Sequence, residues 1–394
     1  MSKAARPREQ LNRSKNSAND TTLAIYFQPL KALAMIRDQT SLRSICILRL
    51  SAIGDVCNAV AAIQSIQRLH PDLEITWVIG KIEKMLLDGL PGVEFVVFDK
   101  SLGKRAFKQL KQDMRGRNFD ALLHMQVALR ANWAARMIPA RRKIGFDWGR
   151  SKEFHALFTN ERIKEQTHAH VLEGFFAFAE RLGVAETEKH KLSWNIPVSD
   201  DDQAYADKHI QPHSISQRRT LVIAPAASKK ERNWLPDRYA AIANYAHQLG
   251  YRIVLCGGPA DIDRDLGREI ERHAIPSVMN LIGKTSLKQM LALLGNACIV
   301  LAPDTGPAHM AVSQGTPVLG LYGHSNPKRT GPYLYQKYVA EVYHKNLFEQ
   351  KGKTSNQLPW GARVKGKDIM EQITVDQVIE RFNQIVEDFG FEDA

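Results

Sequence analysis

Short apolar runs alternate with stretches of helical period along most of this chain, and the alternation occurs twice. Residues 45–50 read as a strand, and residues 56–69 carry Val56, Val60, Ile63 and Ile66 on one helical face. Residues 75–79, 94–98 and 121–125 repeat the strand pattern. Apolar runs without polar alternation belong to parallel strands covered on both faces. Strands alternating with helices confine the chain to an α/β architecture. The rhythm breaks at residues 195–218, which hold Pro197, Asp200-Asp201-Asp202 and Pro212. It then resumes with strands at 221–224, 252–255, 298–302 and 318–321 and helices near 237–249, 261–273 and 286–295. A last helix, 375–389, places Val375, Val378, Ile379, Phe382 and Ile385 together. The pattern predicts two Rossmann-like, doubly wound parallel-sheet domains facing each other across a cleft. Their expected spans are 41–196 and 219–370, joined by a linker at 197–218. A basic extension, 1–40, precedes them, and a helix and tail, 371–394, follow. A chain of 394 residues exceeds one typical core, so two domains also suit its length.

Composition narrows the function classes. With 44% hydrophobic and 24% charged residues the chain is an ordinary globular protein. No apolar run approaches the ~20 residues of a membrane span. Residues 1–20 are polar and basic, without a signal-peptide core, so a cytoplasmic protein is expected. Residues 22–36 are apolar, suited to a short helix lying on the protein or on a membrane surface; Pro29 interrupts the run and favours packing on the first domain. Cys46, Cys57, Cys256 and Cys298 have no metal-ligand spacing and read as buried thiols in a reducing compartment. The net charge of +12 favours an anionic partner: nucleic acid, anionic lipid headgroups or a phosphorylated substrate.

Several strand-to-helix junctions carry chemistry. Asp304-Thr305-Gly306-Pro307-Ala308-His309 lies where an apolar strand meets a helix. Such junctions bind ligands in open α/β sheets, and a helix N-terminus favours an anion. Thr305 and Gly306 can present donors to a diphosphate, and Asp304 can hold a sugar hydroxyl. The same residues also suit an ordinary helix cap. Gly54-Asp55 follows the first strand; the glycine permits a tight turn, and the carboxylate can take a proton from an attacking hydroxyl, or cap the helix. In the second series Ser228 and Arg232 can reach phosphate oxygens. Asp261, after Gly257-Gly258, can contact a ribose hydroxyl or cap its helix. The acidic runs Asp261-Ile262-Asp263 and Asp200-Asp201-Asp202 sit at a helix start and in the linker, so no metal is expected. No G-x-G-x-x-G motif is present, so a nicotinamide cofactor is not indicated. Lys104, Lys108, Lys111 and Arg115 fall on one helical stripe, suited to an anionic acceptor or surface, or to plain solvation, and Arg141-Arg142-Lys143 extends it.

In this order the motifs resemble glycosyltransferase family 9, the ADP-heptose lipopolysaccharide heptosyltransferases. The resemblance runs from about Ile45 to the final helix. It rests on Leu48-Arg49-Leu50-Ser51-Ala52-Ile53-Gly54-Asp55, on Gly283-Lys284-Thr285-Ser286-Leu287 and on residues 304–311. Gly145-Phe146-Asp147-Trp148 is similar to the variety that adds the first heptose. The resemblance implies a GT-B fold and a single inverting displacement without a resident cofactor. Asp55 would then be the general base, and Asp304 would hold the heptose hydroxyls. Ser228, Arg232, Thr305, Gly306 and His309 would meet the diphosphate, and Thr285 would lie by the adenosine. Arg232 stands where the family commonly has lysine, and Ala226 where many relatives have glycine. The implied partners are a nucleotide-sugar donor, a phosphorylated lipid A-Kdo type acceptor and the cytoplasmic face of the inner membrane, with peripheral attachment. Nucleic acid is not expected. Another nucleotide-hexose donor, a non-catalytic nucleotide- or nucleic-acid-binding role and a nucleotide-sugar epimerase on a similar two-domain fold are the competing readings.

Overall fold

A computed structural model describes residues 42–212, 219–275 and 278–391. The basic extension, the apolar stretch 22–36 and residues 213–218 of the expected linker lie outside them. The N-terminal half runs β1 (Ser44–Leu48), α1 (Ile53–Leu69), β2 (Glu74–Ile79), α2 (Lys81–Leu87), β3 (Val93–Val97), α3 (Lys104–Asp113), β4 (Phe119–His124), α4 (Leu129–Met137), β5 (Ala140–Gly145), β6 (Glu161–Arg162) and α5 (Val171–Arg181). Its six parallel strands lie in the order β3-β2-β1-β4-β5-β6. The C-terminal half runs α6 (Asp200–His209), β7 (Thr220–Ile223), α7 (Pro236–Gln248), β8 (Arg252–Leu255), α8 (Asp261–His273), β9 (Met279–Asn280), α9 (Leu287–Asn296), β10 (Ile299–Pro303), α10 (Gly306–Ser313), β11 (Val318–Tyr322), α11 (Pro327–Thr330), β12 (Val339–Glu341), α12 (Tyr343–Lys351) and α13 (Val375–Phe389). Its order is β12-β11-β10-β7-β8-β9, again parallel. The expected pair of doubly wound sheets is present.

In each sheet the winding reverses once, between β1 and β4 and between β7 and β10. The carboxyl ends of strands at such reversals open the crevice where ligands bind. The loops holding Asp55, Arg232 and Asp304 all leave from these strands. Around β1 and β4, Leu48, Val78, Leu110, Leu122 and Ala134 form a buried cluster under α3 and α4. Helix α1 packs instead on α5 and on α10 of the other half. Further bonds tie the halves. Trp360 Nε1 donates to Ala169 O at 2.7 Å, His170 Nε2 lies 2.9 Å from Gly331 O, and Lys288 Nζ donates to Asp88 O at 3.0 Å.

Two sequence expectations need correction. Arg141-Arg142-Lys143 does not simply extend a solvated patch, because it forms β5. Arg142 pairs with Glu161, and Lys143 Nζ donates to Ala135 O at 2.9 Å. The segment read as linker contains helix α6. Ser199 Oγ caps it by accepting from Asp202 N, and Asp200, Asp201 and Asp202 occupy its first turn, where the helix dipole favours them. The acidic run therefore starts a helix that packs on α9, with Asn296 Nδ2 donating to Asp207 at 2.8 Å and to Ile210 O at 2.7 Å.

Among the buried histidines, His124, His155 and His170 are held neutral by burial. His124 Nε2 and His155 Nδ1 both meet Asn132 Oδ1, at 2.9 and 3.1 Å. Burial pushes His155 down to about 4 and His170 down to about 3, and lowers His124 well below its ordinary range. Unfolding lets each bind a proton near its usual pKa. Their contribution is therefore complete above roughly pH 6.5 and is lost as the pH falls through that value toward the folded pKa values. Each pH unit costs at most about 1.4 kcal/mol per histidine. Thermal unfolding followed from pH 7.5 to 5 is expected to show a falling midpoint, with a shallower slope in His170→Gln. The four cysteines are free and buried, as expected, and burial raises their thiols.

Candidate active site

The N-termini of α1 and α10 meet between the halves. A Cβ on Gly54 would overlap the His309 ring, and a Cβ on Gly306 would lie 3.1 Å from Ile53 Cγ2. Gly54 sits inside the first turn of α1 with no left-handed backbone angle. It is needed here for close approach rather than for the turn the sequence suggested. The fit brings Asp55 and His309, far apart in sequence, onto one site.

Asp55 occupies the third position of α1 and is a third exposed. Its Oδ2 accepts from the Arg49 guanidinium and from Ala52 N at 3.4 Å. Arg49 is itself fixed by Met125 O at 2.6 Å and by the Phe175 ring beneath it. Oδ1 of Asp55 has no hydrogen-bond partner among the described residues. The carboxylate is thus held by one oxygen with the other available.

In the other half, Asp304 directly follows β10. Ser325 Oγ donates to its Oδ2 at 2.6 Å, and Arg232 lies 3.7 Å from that oxygen and 3.4 Å from its carbonyl. Thr305 Oγ1 donates to Ala226 O at 3.3 Å, so its hydroxyl ties the β7 and β10 loops together. The Gly306 and Ala308 N–H groups that open α10, on either side of Pro307, have no acceptor among the described residues. His309 is buried, and its Nδ1 has no partner among the described residues. Burial lowers its pKa, while the negative fields of Asp304 and Asp55 pull it up. Arg329, which the sequence reading missed, carries a mostly buried guanidinium with no hydrogen-bond or ion-pair partner among the described residues. Burial lowers its pKa, and Asp55 and Asp304 are the carboxylates that oppose this. Its place after Pro327, at the carboxyl end of β11, was the available signal.

The remaining expected residues are more scattered. Ser228 is exposed in the β7 loop. Thr285 keeps a buried Oγ1 without a partner among the described residues. Asp261 is exposed at the start of α8, and Asp263 instead accepts from Gly258 N at 2.9 Å. Lys104, Lys108 and Lys111 are exposed along α3, but Arg115 lies beyond its end at Asp113, in the turn closed by Gly116. None of these four lines the cavity on this side. That cavity, about 370 Å³, is bordered by Ser51, Lys81, Lys100, Ser101, Gln126 and Arg130. Its cations follow the carboxyl ends of β2, β3 and β4. Burial raises the pKa of Glu83, also in its wall.

The sequence pattern described as glycosyltransferase family 9 (heptosyltransferase) matches residues 107–360. A relative from Haemophilus influenzae, the lipopolysaccharide core heptosyltransferase OpsX, is 42% identical over 87% of this chain and 97% of its own length. The chain belongs to glycosyltransferase family 9. It is therefore a glycosyltransferase. The family 9 protein of Veillonella parvula superposes with a TM-score of 0.70 at 21% identity, covering 88% of this chain and 97% of that one. E. coli heptosyltransferase WaaC, solved with ADP, gives 0.65 at 18% identity, covering 87% and 99%. These likenesses show the GT-B fold. Among the described residues no helix is long and apolar enough to cross a membrane.

Close packing of Gly54 on His309 makes one substitution informative for a family 9 enzyme. Gly54→Ala forces α1 and α10 apart, and a displacement near 1 Å at reacting groups costs about 10²-fold in rate. Steady-state transfer is expected to fall by about that factor, and the unfolding midpoint to drop with it, because overpacking a buried contact costs about 1–3 kcal/mol.

Proposed function

We propose that this protein transfers a heptose from ADP-heptose to the inner core of lipopolysaccharide, with inversion at the anomeric carbon. The supporting observation is the meeting of α1 and α10, which sets Asp55 and the Asp304–His309 junction on opposite sides of one gap. The acceptor oxygen attacks the anomeric carbon while its bond to the diphosphate breaks. The hydroxyl proton passes to the open oxygen of Asp55. Arg232, His309 and the first N–H groups of α10 meet the charge growing on the departing ADP. Asp304, steadied by Ser325, takes the sugar hydroxyls, with Ser228 beside the phosphates and Thr285 by the adenosine. Lys81, Lys100 and Arg130 receive an acidic group of the acceptor in the neighbouring cavity. The acceptor is lipid-linked, and the protein acts peripherally at the cytoplasmic face of the inner membrane.

The test is incubation with ADP-heptose and a Kdo-bearing lipid A acceptor, with the new anomeric linkage read by NMR. Transfer with inverted configuration is expected. A panel of other nucleotide hexoses checks the donor. Faster turnover of any of them would replace heptose in this reading, and retention of configuration would remove the single-displacement mechanism.

A further inference from the structure

Helix α4 turns an unusual face to solvent. Its buried residues are Ala131, Asn132, Ala134 and Ala135, and its exposed stripe at i, i+4 and i+7 is Leu129, Trp133 and Arg136. A surface helix normally presents polar residues there. The loop packed beside it continues the pattern. Phe154 is 73% exposed and Leu157 79% exposed. Glu153 and Phe154 are both held at positive φ, a conformation that costs side-chain-bearing residues energy. The loop is firmly anchored despite this. Glu153 accepts from Leu129 N through its carboxylate and from Asn132 Nδ2 at 2.7 Å through its carbonyl, and Phe158 packs edge-on against Trp133 at 5.8 Å. Strain is thus spent to hold two large apolar side chains outward.

Between α4, β5 and this loop lies a cavity of about 230 Å³. Arg136 and Lys143 line it together with Leu157 and Phe158. Among the described residues no carboxylate lines it. Nearby Glu161 is already engaged by Arg142 and Arg181. Thr159 and Asn160 complete a mixed polar and apolar wall, in which Lys143 Nζ rests on Ala135 O at 2.9 Å and the Arg136 side chain stands beside it. Burial and the nearby Arg136 lower the pKa of Lys143. Exposed Arg141 and Lys152 add positive charge at the margin.

We propose that the face made by α4, β5 and residues 153–158 docks on an anionic phospholipid surface. Trp133, Phe154 and Leu157 enter the headgroup layer, and Arg136 and Lys143 take a lipid phosphate between them. Aromatic and aliphatic side chains flanked by basic residues are the composition that lies in a membrane interface. The charge is complementary to acidic lipid, whose surface attracts each basic group. The placement also suits the transferase reading, on which it rests for its biological sense. Ala128, Arg130 and Ala131, at the start of the same helix, border the cavity proposed for the acceptor. A lipid-linked acceptor would then rise from the bilayer beside the site that receives it.

Cosedimentation of the full chain with phosphatidylcholine vesicles, with and without phosphatidylglycerol, tests the proposal. The wild type is expected to pellet with the phosphatidylglycerol vesicles and to stay in solution with phosphatidylcholine alone. Arg136→Ala/Lys143→Ala is expected to weaken partitioning about twentyfold. Trp133→Ser/Leu157→Ser, which leaves the net charge unchanged, is expected to weaken it about tenfold or more, and high salt should not remove that difference. Trp133, Arg136 and Leu157 are exposed and Lys143 is half-buried, and an unchanged thermal midpoint confirms that the variants are folded. Pelleting of both variants like the wild type overturns the proposal. So does a dimer in sedimentation velocity that the Trp133→Ser/Leu157→Ser change dissolves while vesicles bind neither form; the face would then belong to a second copy. Transfer to a lipid-free acceptor fragment, measured alongside, is expected to be equal in wild type and variants. If the wild type pellets with acidic vesicles but transfers nothing, the transferase reading fails and the docking surface stands.

Discussion

Replacing Asp55 with asparagine is expected to lower kcat by about 10²–10⁴-fold, the range associated with loss of a general base. Asparagine keeps the shape of the side chain but cannot take the acceptor's proton. The donor should still bind, because the groups proposed to hold ADP belong to the other half. Isothermal titration with ADP should therefore give an unchanged affinity, and pre-steady-state mixing should show the loss in the chemical step. Arg49 sharpens the expectation. It grips one oxygen of Asp55 and is braced by Met125 O and Phe175, so it fixes where the free oxygen points. Arg49→Met should then lower kcat by a smaller factor and change the pH profile of kcat, because it disturbs the base without removing it. An Asp55→Asn enzyme that retains full kcat would show that another group accepts the proton.

The parts of this site legible in the sequence were those written in consecutive residues. The junction at 304–309 announces itself because an apolar strand, a carboxylate, a helix start and a histidine follow one another directly. The two parallel sheets were legible for the same reason, since each buried strand is an unbroken apolar run. What failed to show was whatever depends on residues distant in sequence. Gly54 reads as a turn residue until the His309 ring is placed against it. Lys81, Lys100 and Arg130 each follow a different strand, and only the sheet order brings them around one cavity. Arg141-Arg142-Lys143 suggested a charged surface because β5 lies toward the sheet's edge, where basic side chains find partners such as Glu161 and a helix carbonyl. The acidic run at 200–202 looked like linker because α6 buries little apolar surface, with Ala206 its one fully covered residue. Periodicity cannot report a helix that short on apolar contacts.

Arg232→Ala is expected to weaken ADP binding by about 1.5–3 kcal/mol, the usual worth of a hydrogen bond to a charged group. It is expected to lower kcat/KM by more, by about 10²–10³-fold, if the guanidinium meets charge that grows as the diphosphate departs. The resting geometry favours such a role. Arg232 rests only loosely on Asp304, at 3.4 and 3.7 Å, so little is lost when it turns to a phosphate. Arg232→Lys keeps the charge, and should recover most of the binding while losing the two-pronged geometry. Arg329 supplies the comparison. Its guanidinium is mostly buried and unpaired among the described residues, an arrangement that is costly until an anion arrives. Removing it should therefore weaken ADP binding while raising the stability of the unliganded protein, whereas Arg232→Ala, which leaves Asp304 without its cation, should not. If both arginines contact the same diphosphate, the double variant will fall short of the summed losses, because each single change already disturbs the shared ligand. Strict additivity in that cycle would place Arg329 on another group, and the acceptor's acid would be the next candidate to examine.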